Sequence, residues 1–205
     1  MKRVAIVDYG RCNLDSIARA VEECGGAPAL AREGRDLADA GRVILPGVGS
    51  FRDAMEALRA RRLDEALAER VLAGGAPFLG ICLGMQLLAS RGREGGEARG
   101  LGWIPGEVRR LAPGAEGERV PHVGWNEVRP RDAGALFSGI PPATDFYFSH
   151  SYHFRCADDA SVAARTPYGG GFVSAVARAP VFGVQFHPEK SQRPGFALLR
   201  NFLAL

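Results

Sequence analysis

Gly80-Ile81-Cys82-Leu83-Gly84-Met85-Gln86 follows an apolar run, Pro77-Phe78-Leu79, and opens a helical pattern from Met85 to Ala89. A strand that turns sharply into a helix holds its tip residue out at the carboxyl edge of a sheet. Small residues two before and two after that tip let the backbone bend without a Cβ clash. Cys82 is at the tip, so the stretch reads as the cysteine counterpart of a G-x-S-x-G elbow. A helix starting just after it points backbone N–H groups at a reacting carbonyl and favours the thiolate. The same stretch also suits a small buried hydrophobe, the common fate of a cysteine.

A second stretch, Phe182-Gly183-Val184-Gln185-Phe186-His187-Pro188-Glu189-Lys190-Ser191, decides between these readings. Pro188 excludes helix and pushes His187 into an extended conformation. Residues i and i+2 of an extended chain point the same way, so His187 and Glu189 share a face. A thiol, an imidazole and an orienting carboxylate form a constellation for nucleophilic acyl transfer. A satisfied structural histidine beside a solvated glutamate is the alternative for a lone His-x-Glu. A cysteine elbow on the same chain favours catalysis, with Cys82, His187 and Glu189 as candidate residues.

Working outward from the elbow, the first half alternates strands and helices. Val4–Val7, Ala27–Leu30, Arg42–Leu45 and Phe78–Ile81 read as strands. Asn13 is placed to cap a helix from Leu14 to Cys24 that stops at Gly25-Gly26. Ser50 caps another through about Ala60, and a further segment runs to about Ala73. This alternation implies a parallel sheet covered on both faces, with ligands at the carboxyl ends of its strands. Pro46-Gly47-Val48-Gly49 and Cys82 both follow such ends, so they should be neighbours. Arg91–Gly102 reads as a Gly- and charge-rich loop. From Glu107 the chain becomes short strands with turns: Glu107–Leu111, Val120–Val128, Asp145–Phe148, Tyr152–Arg155, Ser161–Arg165, Phe172–Arg178 and Val181–Gln185. That half is expected to extend the sheet antiparallel. Gly169-Gly170-Gly171 reads as a hairpin turn, and Pro194–Leu203 as a terminal helix. The expected fold class is α/β, as one domain over residues 1–205.

The chain has 205 residues, 46% hydrophobic and 24% charged, as in ordinary globular proteins. Its net charge of +3 carries no basic run interleaved with aromatics, so no nucleic-acid footprint is read. No apolar stretch approaches the roughly 20 residues a membrane span needs. The chain runs straight into a strand, giving the expectation of no signal peptide. Cys12, Cys24, Cys82 and Cys156 form no CxxC pair, which suits a reducing cytoplasm, and neither metal nor organic cofactor is expected.

Gly80–Gln86 together with Phe186–Glu189 resemble the signature of class I, triad-type glutamine amidotransferases. Pro46–Phe51, Pro121-His122-Val123-Gly124-Trp125-Asn126 and Phe146-Tyr147-Phe148-Ser149-His150-Ser151-Tyr152 resemble the glutaminase subunits of imidazole glycerol phosphate synthases. The similarity runs in order from Val4 to the C-terminus. It implies the class I glutamine amidotransferase-like fold and hydrolysis of glutamine to glutamate and ammonia. Cys82 attacks the carboxamide, His187 passes a proton to the departing ammonia, and Glu189 holds the imidazole. One oxyanion donor is expected at the Leu83 N–H. The second is expected from the loop Gly47-Val48-Gly49, at Val48 or Gly49, by analogy with hydrolase folds. The peptide between Gly47 and Val48 is expected to flip under partner control.

For the glutamine itself, Gly47 and Gln86 are candidate contacts. Glu94 has the family's spacing for the α-amino group, or is a solvated loop charge. Backbone groups at His150-Ser151 resemble the segment that takes the α-carboxylate. These motifs occupy residues 4 to 203 or so, so the ammonia acceptor is expected on another chain. By resemblance it is the cyclase subunit, a (β/α)₈ barrel making imidazole glycerol phosphate and aminoimidazole carboxamide ribonucleotide in histidine biosynthesis, held in a heterodimer. Trp125, Asn126 and Lys190 are interface or gate candidates, with Trp125 equally readable as plain core. Lys190 is one of only two lysines. The rival readings are a glutaminase for another acceptor, such as pyridoxal phosphate synthase or anthranilate synthase, and a stand-alone cysteine hydrolase of the same fold.

Overall fold

The computed structural model describes residues 3–10, 12–114, 118–132 and 134–205. The first half contains β1 (Arg3–Val7), α1 (Leu14–Glu23), β2 (Ala27–Ala31), β3 (Arg42–Leu45), α2 (Phe51–Ala60), α3 (Leu63–Ala68), β4 (Phe78–Ile81) and α4 (Leu83–Gln86). Then come β5 (Arg91–Gly92), β6 (Ala98–Arg99), β7 (Gly106–Arg110), β8 (His122–Pro130), α5 (Gly134–Phe137) and β9 (Thr144–His150). β10 (Tyr152–Cys156), β11 (Val162–Thr166), β12 (Phe172–Arg178), β13 (Val181–Val184) and α6 (Gln192–Ala204) complete it.

The central sheet runs β2-β1-β3-β4-β13-β12-β10-β7-β5-β6. Its first five strands pair parallel, and from β13 outward the neighbours are mostly antiparallel. This is the mixed α/β architecture expected. β11 lies beside β12 and also holds β8, whose other edge carries β9. β8 and β9 pair antiparallel along their length, with His122 opposite His150 and Trp125 opposite Tyr147.

Strand alternation divides the core in two. Ala5 and Val7 of β1 face Phe51, Met55 and Leu58 of α2 and Leu63 and Leu67 of α3. Val4 and Ile6 face Ile17 and Val21 of α1 and Leu198 and Phe202 of α6. A strand buried on both faces is apolar over its central residues, which is why Val4–Val7, Val43–Leu45 and β4 read as continuous apolar runs. Each fully buried Val, Leu, Ile or Phe contributes on the order of 1.5–3 kcal/mol.

Several expectations change. Asn13 precedes α1, but its side chain makes no capping bond, and Asp15 alone complements the helix N-terminus. Ser50 does cap α2, its Oγ accepting from the Asp53 N–H at 3.3 Å. The helix after the elbow is a four-residue piece, Leu83–Gln86, rather than Met85–Ala89. Arg91–Gly102 is not wholly loop: β5 and β6 pair across a turn at Gly95 and Gly96, with φ of +74° and +105°. The short α5 has no counterpart in the sequence reading. Gly169–Gly171 does join β11 to β12, and Thr166 pairs with Phe172 across the turn.

Candidate active site

β4 and β13 run side by side, with Ile81 opposite Val184. The strand next to the elbow therefore delivers the chain directly into Gln185, Phe186 and His187. Cys82 has φ +54° and ψ −110°, a sparsely populated backbone for a residue with a Cβ. Its N–H donates to the Val184 carbonyl at 2.8 Å, and its carbonyl accepts from Met85 and Gln86 at 3.1 and 3.2 Å. The turn closes because both flanking positions are glycine. A Cβ on Gly84 would stand 1.8 Å from the Leu45 carbonyl oxygen, and one on Gly80 2.6 Å from that of Gly84.

His187 is clamped by its backbone. Its N–H donates to the Tyr147 carbonyl at 2.9 Å, and its own carbonyl accepts from Ser191 Oγ at 2.6 Å and from the Lys190 N–H at 3.1 Å. Ser191 Oγ also accepts from the Tyr147 N–H at 3.0 Å, so one hydroxyl ties β9 to the His-Pro-Glu turn. Nδ1 of His187 lies 2.8 Å from Glu189 Oε1, with both side chains almost wholly buried. A carboxylate accepts only, so Nδ1 carries the hydrogen. The imidazole also hydrogen-bonds Cys82. Burial works against its charged form, but the bonds to Cys82 and Glu189 and the charge of both outweigh it. They raise the pKa to about 10. The arrangement is a preformed imidazolium facing the Cys82 sulfur.

The pocket above this pair is lined by Val48, Gly49, Leu83, Gln86, Glu94, His150, Ser151 and Lys190 from the sequence reading, with Cys82 and His187. Gly47 lies behind the loop instead, where a Cβ would come within 2.2 Å of Tyr9 Oη. Gly49 has φ +99°. Leu83 opens α4, so its N–H has no intrahelical acceptor. Glu94 is half-buried and accepts from the Phe51 N–H at 3.3 Å. Burial pushes its carboxyl up, the Phe51 bond opposes this, and the like charge of Asp53 adds to it.

The interface candidates separate. Trp125 is 48% exposed, so it is not core, and its ring stands 6.0 Å from that of Tyr147. Lys190 Nζ lies 5.8 Å above the Tyr147 ring, on the pocket wall. Asn126 points inward and hydrogen-bonds His122 Nε2 at 3.2 Å. Val48 and Val123 stand exposed on the loop and strand that also carry Gly49 and Trp125.

The sequence reading missed Gln185, whose Nε2 lies 3.6 Å from Cys82 Sγ, and the Ser149 carbonyl, 4.0 Å from the same sulfur. The signal for Gln185 was available: it stands two residues before His187, on the same face of an extended chain. Ser50, Pro121 and Tyr152, which the sequence reading did not single out as site residues, complete the lining. Among the described residues no group of three or more His, Cys, Asp or Glu is placed to hold a metal, and no helix is long and apolar enough to cross a membrane.

The model of the class-I glutamine amidotransferases (GATase) matches residues 5–205, and the chain belongs to that family. A solved glutamine amidotransferase is 22% identical with a TM-score of 0.77, covering 98% of this chain and 97% of its own. PurLQS from Thermotoga maritima is 21% identical with a TM-score of 0.77, covering 99% and 98%. At those identities the likeness speaks for the fold alone. Within the family, the relatives are imidazole glycerol phosphate synthase subunits HisH. The one from Moorella thermoacetica is 48% identical, covering 98% of this chain and 94% of the relative. That from Rhodospirillum rubrum is 46% identical, covering 98% of each.

Proposed function

We propose that this protein is the glutaminase subunit of an imidazole glycerol phosphate synthase, hydrolysing glutamine and supplying ammonia to a partner cyclase. The observation that carries the chemistry is Cys82 on a strained elbow against an imidazolium pinned by Glu189. The acceptor follows from relatives of near-equal length bearing that enzyme's name.

The Cys82 thiolate attacks the side-chain carboxamide carbon of glutamine. The oxyanion that forms is met by the Leu83 N–H and by an N–H of the Val48–Gly49 loop. His187 gives its proton to the nitrogen, the C–N bond breaks, ammonia leaves, and a glutamyl thioester remains on Cys82. Water then attacks the thioester with neutral His187 as base. Collapse of the second tetrahedral intermediate releases glutamate and restores the thiolate–imidazolium pair. Glu94 takes the substrate's ammonium and the His150–Ser151 backbone its carboxylate. Trp125, Val48 and Val123 belong to the face that meets the cyclase, with Lys190 at the mouth through which ammonia departs. Ammonia released to bulk water would be protonated and lost as a nucleophile, so the two sites must face each other in a heterodimer, in the cytoplasm.

Incubation with the glutamine analogue 6-diazo-5-oxo-norleucine tests the site. The expected product is one adduct, on the Cys82 peptide, absent in Cys82→Ala and prevented by excess glutamine. Labelling of Cys12, Cys24 or Cys156 instead would contradict the assignment.

A further inference from the structure

One backbone carbonyl fixes the polarity of a buried hydrogen-bond chain that ends on the sulfur. The Tyr152 carbonyl oxygen, which can only accept, lies 2.8 Å from Gln86 Nε2 and 2.8 Å from His150 Nδ1. Both of those nitrogens therefore donate. Gln86 Nε2 is also 2.9 Å from an amide atom of Gln185, which must then be the oxygen, Oε1. The remaining end of the Gln185 amide, Nε2, is left 3.6 Å from Cys82 Sγ with a hydrogen to give.

The other arm agrees. With Nδ1 protonated and the ring neutral, His150 Nε2 accepts from His122 Nδ1 at 3.0 Å. His122 Nε2 in turn accepts from Asn126 Nδ2 at 3.2 Å, and Asn126 Oδ1 from the Glu127 N–H at 2.9 Å. Burial lowers both imidazoles, His122 to about 4 and His150 to about 3, so the ring tautomers hold at neutral pH. Every donor meets an acceptor from Asn126 to Cys82. Gln86 and Gln185 are 3% and 0% exposed, so neither amide has room to turn over without orphaning a buried group.

We infer that Gln185 is a catalytic residue whose side-chain N–H donates to the Cys82 thiolate, beside the imidazolium of His187, and holds the sulfur at the pocket floor. This rests on the glutaminase reading only in taking Cys82 as the nucleophile. The thiol form has the Ser149 carbonyl to donate to, and the thiolate has Gln185 and His187 to accept from. The bond converts a glutamine of the sheet core into part of the reacting centre. It also gives Gln86 a second duty, that of setting which way the Gln185 amide faces.

The test is the pH profile of iodoacetamide alkylation at Cys82, read on the Cys82 peptide by mass spectrometry. It needs neither glutamine nor a partner, so it stands or falls apart from the glutaminase assignment. Gln185→Glu keeps an acceptor for Gln86 and sets a carboxylate against the sulfur. Its alkylation midpoint is expected to rise by about one pH unit or more, and Gln185→Leu by a smaller amount. A merely packing role would lower the melting temperature and leave both midpoints in place, and unmoved midpoints in folded variants overturn the proposal. Should the variants fail to fold, the wild-type protein decides. The Gln185 side-chain ¹⁵N–¹H₂ resonances are expected to titrate with the alkylation midpoint and to lose that titration in Cys82→Ala. Resonances that do not titrate in the wild type overturn it equally.

Discussion

Nδ1 of His187 lies 2.8 Å from Oε1 of Glu189, and because a carboxylate cannot donate, this contact decides which ring nitrogen is left for Cys82. His187 is extended as expected, but Pro188 does not exclude helix: it opens a 3-10 turn, Pro188–Lys190, so Glu189 reaches Nδ1 from inside that turn rather than from the same face of an extended chain. Glu189→Gln keeps the shape but offers an amide that can donate to Nδ1 and favour the wrong tautomer. Glutaminase kcat is expected to fall about 10³- to 10⁴-fold with the melting temperature little changed. A loss under tenfold in steady-state glutamate release would remove Glu189 from the mechanism.

Glu94 offers the pocket's half-buried carboxylate for an ammonium ion. Glu94→Gln removes the charge and keeps the acceptor for Phe51. KM for glutamine is expected to rise roughly 10- to 100-fold, the worth of a charged hydrogen bond, with kcat within a few-fold. An unchanged KM would return Glu94 to the role of a loop charge that caps α2.

The loop before α2 has a steric partner that the sequence did not announce. A Cβ on Gly47 would come within 2.2 Å of Tyr9 Oη, so Gly47→Ala alone should cost about 1–3 kcal/mol by overpacking. Adding Tyr9→Phe relieves that contact. In the double variant, with the Gly47–Val48 peptide less free to turn over, stimulation by the partner is expected to drop while glutamine still binds. Full stimulation in a stable double variant would rule the peptide flip out.

Acid should unfold the protein early. His122 and His150 have folded pKa values lowered to about 4 and about 3, so the unfolded chain binds more protons than the folded one between there and about 6.5. Stability from these groups is complete above about 6.5 and is lost as pH falls toward the folded values, by up to roughly 1.4 kcal/mol per pH unit for each ring. His153 is lowered too, by burial, and acts in the same direction. His187 does not offset this below about 6.5, since it is protonated in both states there. Urea midpoints are expected to fall steadily from pH 6.5 to 4.5, and less steeply in His122→Phe. A flat profile would mean that the histidine relay is charged or solvated.

What the sequence disclosed and what it withheld divide along contact range. The elbow and the His-Pro-Glu turn are local devices, written in glycine spacing and in one proline. The parallel half was legible because the central residues of β1, β3 and β4 are apolar on both faces. The pairing of β8 with β9 and the attachment of that pair through β11 depend on strands far apart in the chain, and no periodicity encodes them. Asn126 stands among the interface or gate candidates only through the motif it shares with Trp125. It turned inward because His122 needed a donor once His150 had committed its own Nδ1. Gln185 hid in an apolar strand end, where its amide is satisfied by Gln86, itself placed by the elbow.

The most direct test is glutamate release from glutamine by the purified subunit, alone and with an imidazole glycerol phosphate synthase cyclase subunit and its nucleotide substrate, beside a Cys82→Ala control. The account predicts slow release alone, strong stimulation by the loaded partner, and none from the variant. Equal release with and without the partner, or release that survives loss of the Cys82 thiol, would contradict it.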